Sequence, residues 1–132
     1  MNELKLQARI VKDCNGWARK VGNLHQAGTP DLFVKQKNTS PVFIECKKDK
    51  LNLSPIQRET LRRMHIAGIY CGWLVHCQEN RIHNMFVGAD PDAITPVANE
   101  NCDMITLTGK KWDVSRIVDP IVYWSRNEIQ KA

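Results

Sequence analysis

Along the first 22 residues the apolar side chains Leu6, Ile10, Cys14, Trp17 and Val21 recur at steps of four, four, three and four. That spacing predicts one amphipathic helix, closed by Gly22-Asn23. A polar connection from His25 to Pro30 follows. Two strand-like runs come next, Asp31 to Lys35 and Pro41 to Lys47, with QKNTS between them as a turn. Ser54, Pro55 and Gln57 form the start signal of a helix, with a cap, a proline at the first helical position and a capping-box glutamine; Gly68 supplies its stop. Its apolar positions are Ile56, Thr60, Leu61, Met64 and Ala67. Ile69 to Val75 is apolar enough to be a strand covered on both faces, and a helix feeding such a strand predicts a crossover within one sheet. Ile82 to Val87 is its expected hairpin partner, followed by a loop over residues 88–101. A last helix is expected from Asp113 to Ile129, capped by Asp113, stapled by Trp112 and Ile117, and divided by Pro120.

A chain of 132 residues without repeats or low-complexity tracts fits one α/β domain, its densest patterning lying in about residues 1–76 and a hairpin with helices filling 77–132. Nineteen Lys and Arg against fourteen Asp and Glu leave a formal charge of +5, which suits an anionic partner. The five cysteines contain no C-x-x-C pair and read as reduced thiols. The first residues lack the apolar core of a signal peptide, and no apolar run is long enough to span a bilayer. A soluble, cytoplasmic protein with no membrane partner is expected.

Glu45 and Lys47 are two residues apart on one strand, so they share a face while Ile44 and Cys46 point to the other. If the flanking strands pair about a turn centred on Asn38, facing residues have numbers that sum to 76; Phe33 then meets Phe43, and Asp31 meets Glu45. Two carboxylates with Cβ atoms about 5 Å apart repel unless a proton or a cation lies between them. A hard divalent ion such as Mg²⁺, which takes one or two carboxylates and completes its shell with water and phosphate, fits that requirement.

G-T-P-D at Gly28 to Asp31, E-C-K at Glu45 to Lys47 and L-S-P-I-Q at Leu53 to Gln57 together resemble the PD-(D/E)xK nuclease signature, in its virus-type replication-repair (VRR-NUC) branch. The resemblance spans roughly the first 75 positions. It implies a restriction-endonuclease-like domain, a mixed central sheet flanked by helices. It also implies Mg²⁺, with Mn²⁺ as a substitute, held by Asp31, Glu45, the Cys46 carbonyl and an acidic residue of the first helix, Glu3. Lys47 would act on the attacking water and Gln57 would complete the site. The implied activity is DNA phosphodiester hydrolysis, sharpest as four-way junction resolution by a homodimer, with a viral or mobile-element origin. The rival readings are a flap or duplex nuclease indifferent to junctions, a DNA-binding subunit that does not cut, and an interaction subunit of a repair assembly.

Each residue also has a plainer use. Lys48, Lys50, Arg58, Arg62 and Arg63 surround the E-C-K strand and could grip phosphates, but Glu59 could equally pair with Arg62 or Arg63 on a solvated helix face. Gln57 is explained by the cap alone, and Glu3 by the helix dipole. The four histidines have no metal-ligand spacing. Cys71 and Cys77 read as core, as do Trp17, Trp73 and Trp112, while Trp124 is a candidate for a dimer surface.

Overall fold

A computed structural model describes residues 1–22 and 27–132. The expected helix stop at Asn23 and the first residues of the polar connection, His25 and Gln26, lie outside the described residues. The elements are α1 (Glu3–Asp13), β1 (Trp17–Lys20), β2 (Leu32–Lys35), β3 (Val42–Lys48), α2 (Pro55–Ile66), β4 (Cys71–Glu79), β5 (Ile82–Gly88), β6 (Cys102–Leu107) and α3 (Ser115–Lys131). They form a mixed α/β fold around a six-stranded sheet in the order β1-β2-β3-β4-β5-β6. β3 and β4 run parallel and every other pairing is antiparallel. Among the described residues, no helix is long and apolar enough to cross a membrane.

The β2–β3 hairpin adopts the predicted register, with Leu32 opposite Ile44, Phe33 opposite Phe43 and Val34 opposite Val42. Asn38 takes the left-handed backbone (φ 64°) that the turn demands and that asparagine tolerates. α2 connects β3 to parallel β4, as the crossover pattern requires. Its capping box is complete: the Ser54 hydroxyl accepts from the Gln57 N–H at 3.2 Å, and Gln57 Oε1 accepts from the Ser54 N–H at 2.9 Å.

The sheet divides the core into two layers. On one face Leu6 and Ile10 of α1 and Ile117, Val118, Ile121 and Val122 of α3 pack on Ile44, Leu74, Met85 and Val87. On the other, Leu61 of α2 with Leu51 and Leu53 of the preceding loop covers Cys71, Trp73 and Val75. Burial of this kind decides the fate of Pro120. An interior proline costs about 3 kcal/mol, but each buried aliphatic side chain returns about 1.5–3 kcal/mol. Four of them flank Pro120 in α3, so the helix is unbroken where the sequence predicts a division. The cap of α3 is Val114, one residue after the expected Asp113, yet the Asp113 carboxylate still accepts from the Ser115 N–H at 3.1 Å.

Two departures from the sequence pattern are larger. α1 ends at Asp13, and Trp17, expected in its core stripe, opens β1 with 53 % of its surface exposed. The cause is Gly16. A Cβ there would overlap the Lys35 carbonyl oxygen, so the chain can leave the helix and lie against β2 only at a glycine. Asn15 fastens the same crossing, its N–H donating to Gln36 Oε1 at 2.7 Å. β6, where no element is predicted, places Ile105 and Leu107 on one face and Cys102 on the other while Met104 stays exposed. An edge strand with apolar residues on both sides shows no clean period of two.

The histidines, unremarkable by spacing, meet in the fold. His76 on β4 and His83 on β5 are buried, with Nε2 of the first 2.8 Å from Nδ1 of the second, and Trp112 packs edge-on against His83. Burial, the partner ring and the nearby Met1 amine push His76 down to about 4, and burial with Arg9 lowers His83. A base whose folded value is depressed contributes stability above its unfolded value near 6.5 and loses it as the pH falls toward the folded value. The pair's contribution should therefore fall away between pH 6.5 and 4.5, so the melting temperature of the wild type relative to that of His76→Gln should decline over this range. A difference between the two proteins that stayed constant or grew as the pH fell would refute the account.

Candidate active site

The hairpin register carries one step past its last pair to Asp31, which precedes β2 and lies beside Glu45 of β3. Three contacts hold Asp31 in place. Its backbone oxygen accepts from the Val21 N–H at 2.9 Å and the Gly22 N–H at 3.4 Å, and its Oδ2 accepts from the Cys46 N–H at 2.9 Å. The G-T-P-D segment that delivers it rests on α2. Gly28 has φ +87°, and a side chain there would come within 2.8 Å of Thr60 Oγ1 and 2.9 Å of the Ile56 carbonyl oxygen. The glycine is needed both for its backbone angle and for close approach to the helix.

Glu45 is 4 % exposed. Its Oε1 accepts from Gln57 Nε2 at 2.9 Å and lies 3.9 Å from Lys47 Nζ. Its Oε2 is buried and, among the described residues, has no hydrogen-bond partner. Burial and the neighbouring Asp31 carboxylate push Glu45 up to about 8, with Lys47 opposing only in part. Burial also raises Asp31, against the pull of the Cys46 N–H and Lys47. Two acids share a site with too little positive charge to ionise both, and with no donor at Glu45 Oε2 among the described residues only a proton shared with Asp31 or a cation can satisfy that oxygen.

That deficit is what a divalent cation would meet. The donors facing it are hard oxygens: Asp31, Glu45 Oε2 and the Cys46 carbonyl, which leaves β3 on the same edge as the N–H held by Asp31. The Cys46 thiol points to the opposite face and burial raises it far above its usual range, so it stays protonated. Cysteine here contributes backbone only. Among the described residues no three His, Cys, Asp or Glu side chains come close enough to hold an ion, so water and substrate would have to supply the remaining ligands, as Mg²⁺ prefers. Glu3 opens α1 and is exposed. It is near enough to act on the Cys46 thiol, but among the described residues no hydrogen bond or ion pair joins it to Asp31 or Glu45.

The basic residues separate into two groups. Lys48 and Lys50 are exposed at the end of β3, around Asp49, whose φ of 63° turns the chain. Arg58 instead serves the fold: its guanidinium donates to the carbonyls of Leu53 at 3.2 Å, Pro91 at 2.7 Å and Ala93 at 3.0 Å, tying the loop after β5 to α2. Arg62 pairs with Glu59 at 2.8 Å and Asp92 at 2.6 Å, and Arg63 pairs with Glu59 at 3.1 Å. These pairs are the helix-face alternative left open by the sequence. Arg58 is a further case that it did not foresee, because two of its three partners, Pro91 and Ala93, lie more than thirty positions away.

Gln57 caps α2 as its sequence signal predicts, and the same side chain touches the acidic pair. Its oxygen caps α2 and its amide nitrogen holds Glu45, so one side chain fixes the helix to the acidic pair. Searches of protein-family models, curated proteins and solved structures found no match for this chain.

The geometry predicts opposite effects for two conservative substitutions in metal-free buffer. Glu45→Gln replaces an acid that folding forces to hold a proton with a neutral amide able to donate to Asp31, and should raise the melting temperature by a few degrees, about 1 kcal/mol. From the cap alone, Gln57→Glu should be harmless. With the 2.9 Å bond to Glu45 included, it removes the donor and adds a third acid, so it should melt lower by about 1–3 kcal/mol. Calorimetry in chelator decides the matter; a Gln57→Glu protein that melts with the parent would return that residue to capping alone.

Proposed function

We propose that this chain is a divalent-metal-dependent endonuclease that hydrolyses DNA phosphodiesters, on a restriction-endonuclease-like fold of the VRR-NUC type. The observation that carries the reading is the half-buried Asp31 against the buried Glu45, with no donor at Glu45 Oε2 among the described residues and with Lys47 3.9 Å from Glu45 Oε1. A purely structural or DNA-binding site gains nothing from two acids facing phosphate, since they repel it unless a cation intervenes. The order of G-T-P-D, E-C-K and S-P-I-Q along the chain supports the same reading.

Asp31, Glu45 and the Cys46 carbonyl would hold Mg²⁺ or Mn²⁺. When bound, such an ion neutralises phosphate charge and eases the deprotonation of water. The remaining roles belong to the chain. Lys47, on the same face as Glu45, donates to the attacking water or to the charge that develops on the phosphorus oxygens. Gln57 keeps the Glu45 carboxylate in one orientation, and the Cys46 N–H does the same for Asp31. Water adds to phosphorus, the bond to the leaving sugar oxygen breaks, and that oxygen takes up a proton, without a covalent enzyme intermediate. Lys48 and Lys50 at the end of β3 meet the flanking phosphates. Four-way junction resolution is the finest form of the proposal, and it needs two such sites in a homodimer to make paired incisions.

Labelled four-way junction, flap, duplex and single-stranded DNA incubated in Mg²⁺ or Mn²⁺ test the reading directly. Wild-type protein should cut at least one of them, and Asp31→Asn and Glu45→Gln should each lower the rate by more than about a hundredfold, roughly 2.7 kcal/mol, while still binding DNA. Ca²⁺ should support binding without cutting. Retention of near wild-type cleavage by either variant would sink the assignment, and a chain that is monomeric while cutting flaps would favour the simpler nuclease over junction resolution.

A further inference from the structure

The sheet face that carries Glu45 and Lys47 extends outward over β2 and β1, and the sequence reading left that extension without a function. By register and pleat, Trp17, Arg19, Phe33, Lys35 and Phe43 stand on it together. The rings form a ladder: Trp17 to Phe33 at 5.5 Å and 68°, and Phe33 to Phe43 at 5.1 Å and 73°. Phe33 is two residues from Asp31 and Phe43 two residues from Glu45, so the inner end of the ladder lies about 7 Å along the strands from the acidic pair. At the outer end Trp17 is 53 % exposed, whereas Trp73 and Trp112 are 0 % and 2 % exposed. The Arg19 guanidinium lies 5.5 Å from the Trp17 ring. α1 packs on the opposite side of these strands and α2 packs over β4, so neither helix buries this end of the face.

Resting on the nuclease reading in its flap form, since the arms of a four-way junction are paired, we infer that this face is a stacking platform for unpaired nucleotides of the substrate strand next to the scissile phosphate. Trp17 offers a ring on which a base can stack, and Arg19 and Lys35 offer charge to the adjoining phosphates. Stacking between bases and aromatic rings beside a basic track is how single strands are held without regard to sequence. A paired duplex keeps its base faces inside the helix and cannot use the rings, so the platform selects DNA with a splayed or single-stranded arm. Charge complementarity favours this occupant over a second copy of the chain. On this face Asp31 and Glu45 are the only acids among β1, β2, β3 and the residue before β2, against Arg19, Lys35 and Lys47. A two-fold interface on this face would set Arg19 and Lys35 against their own copies.

The test measures binding by fluorescence anisotropy in Ca²⁺, where no cutting is expected, for a single strand, a splayed fork and a blunt duplex of one sequence. Trp17→Ala should weaken binding of the single strand and the fork at least about fivefold, the lower end of what loss of one stacked base costs, and leave the duplex within about twofold. Trp17→Phe should recover most of the loss, and Arg19→Gln should reduce the salt dependence by about one phosphate contact. The recovery by phenylalanine and the surface variant keep the result interpretable if alanine disturbs the edge strand. Unchanged fork binding by Trp17→Ala, an equal loss on duplex, or conversion of a dimer to a monomer with DNA affinity intact would each overturn the platform. A parallel cleavage assay in Mg²⁺ separates the two failures. If wild type cuts DNA and Trp17→Ala binds like wild type, the platform alone falls; if wild type neither binds nor cuts any of the substrates, the nuclease reading falls with it.

Discussion

Asp31 and Glu45 would separate if they were free to do so. They are held together because the hairpin around Asn38 allows one register, and that register is enforced by what lies behind it. Leu32, Val34, Val42 and Ile44 are all fully buried on the opposite face, under α1 and α3. A slip of one residue would turn these four toward the acids and drive Glu45 and Lys47 into the apolar layer, at a cost far beyond any local repulsion. The core of one face thus imposes the electrostatic problem of the other. A buried carboxylate raised to about 8 with an unpartnered oxygen is the residue of that imposition.

What could be read from the sequence follows from how locally each feature is determined. The hairpin, the capping box at Ser54 and the two-sided strand β4 depend on neighbouring residues, and each formed at or within a few positions of where the pattern placed it. β1 depends on Gly16 passing the Lys35 carbonyl, nineteen positions away in the chain. A stripe of period near four and a short strand are indistinguishable until that approach is known, and Trp17 moved from expected core to surface as a result. β6 and the Arg58 bridge have the same character, being set by partners distant in sequence. At the site, the acids and Lys47 could be found from spacing alone. The second use of Gln57 could not, because it requires knowing how α2 is docked.

The positive charge of the chain is likewise less available than its composition implies. Arg9 is engaged by Asp13 at 3.0 Å and the Gly109 carbonyl at 2.8 Å, Arg58 by three carbonyls, and Arg62 and Arg63 by acids. Guanidinium groups were spent largely on tying loops to elements, a use that suits their several fixed donors. Lysines, with compact and strongly hydrated heads, remain at the end of β3 and on the β2 face. Phosphate contacts made by lysine are point charges without geometric preference, so they position a backbone but read no sequence. On the proposed nuclease reading, selection of substrate then comes from shape or from unpaired bases rather than from base edges.

α2 links these requirements. Its first turn holds Glu45 through Gln57, the next supports Gly28 and so the segment ending in Asp31, and Arg58 beside them grips the loop after β5. Acids carried on separate segments need a common support if their separation is to stay fixed within a fraction of an ångström. Here that support is the start of one helix, itself fixed by the same glutamine that touches the acidic pair. The helix cannot fray at Ser54 without releasing Glu45, and Glu45 cannot turn away without unmaking one of the two bonds of Gln57. Local helix stability and the geometry of the acidic pair are therefore a single cooperative unit, which is why a substitution that looks neutral to the cap is costly to the site.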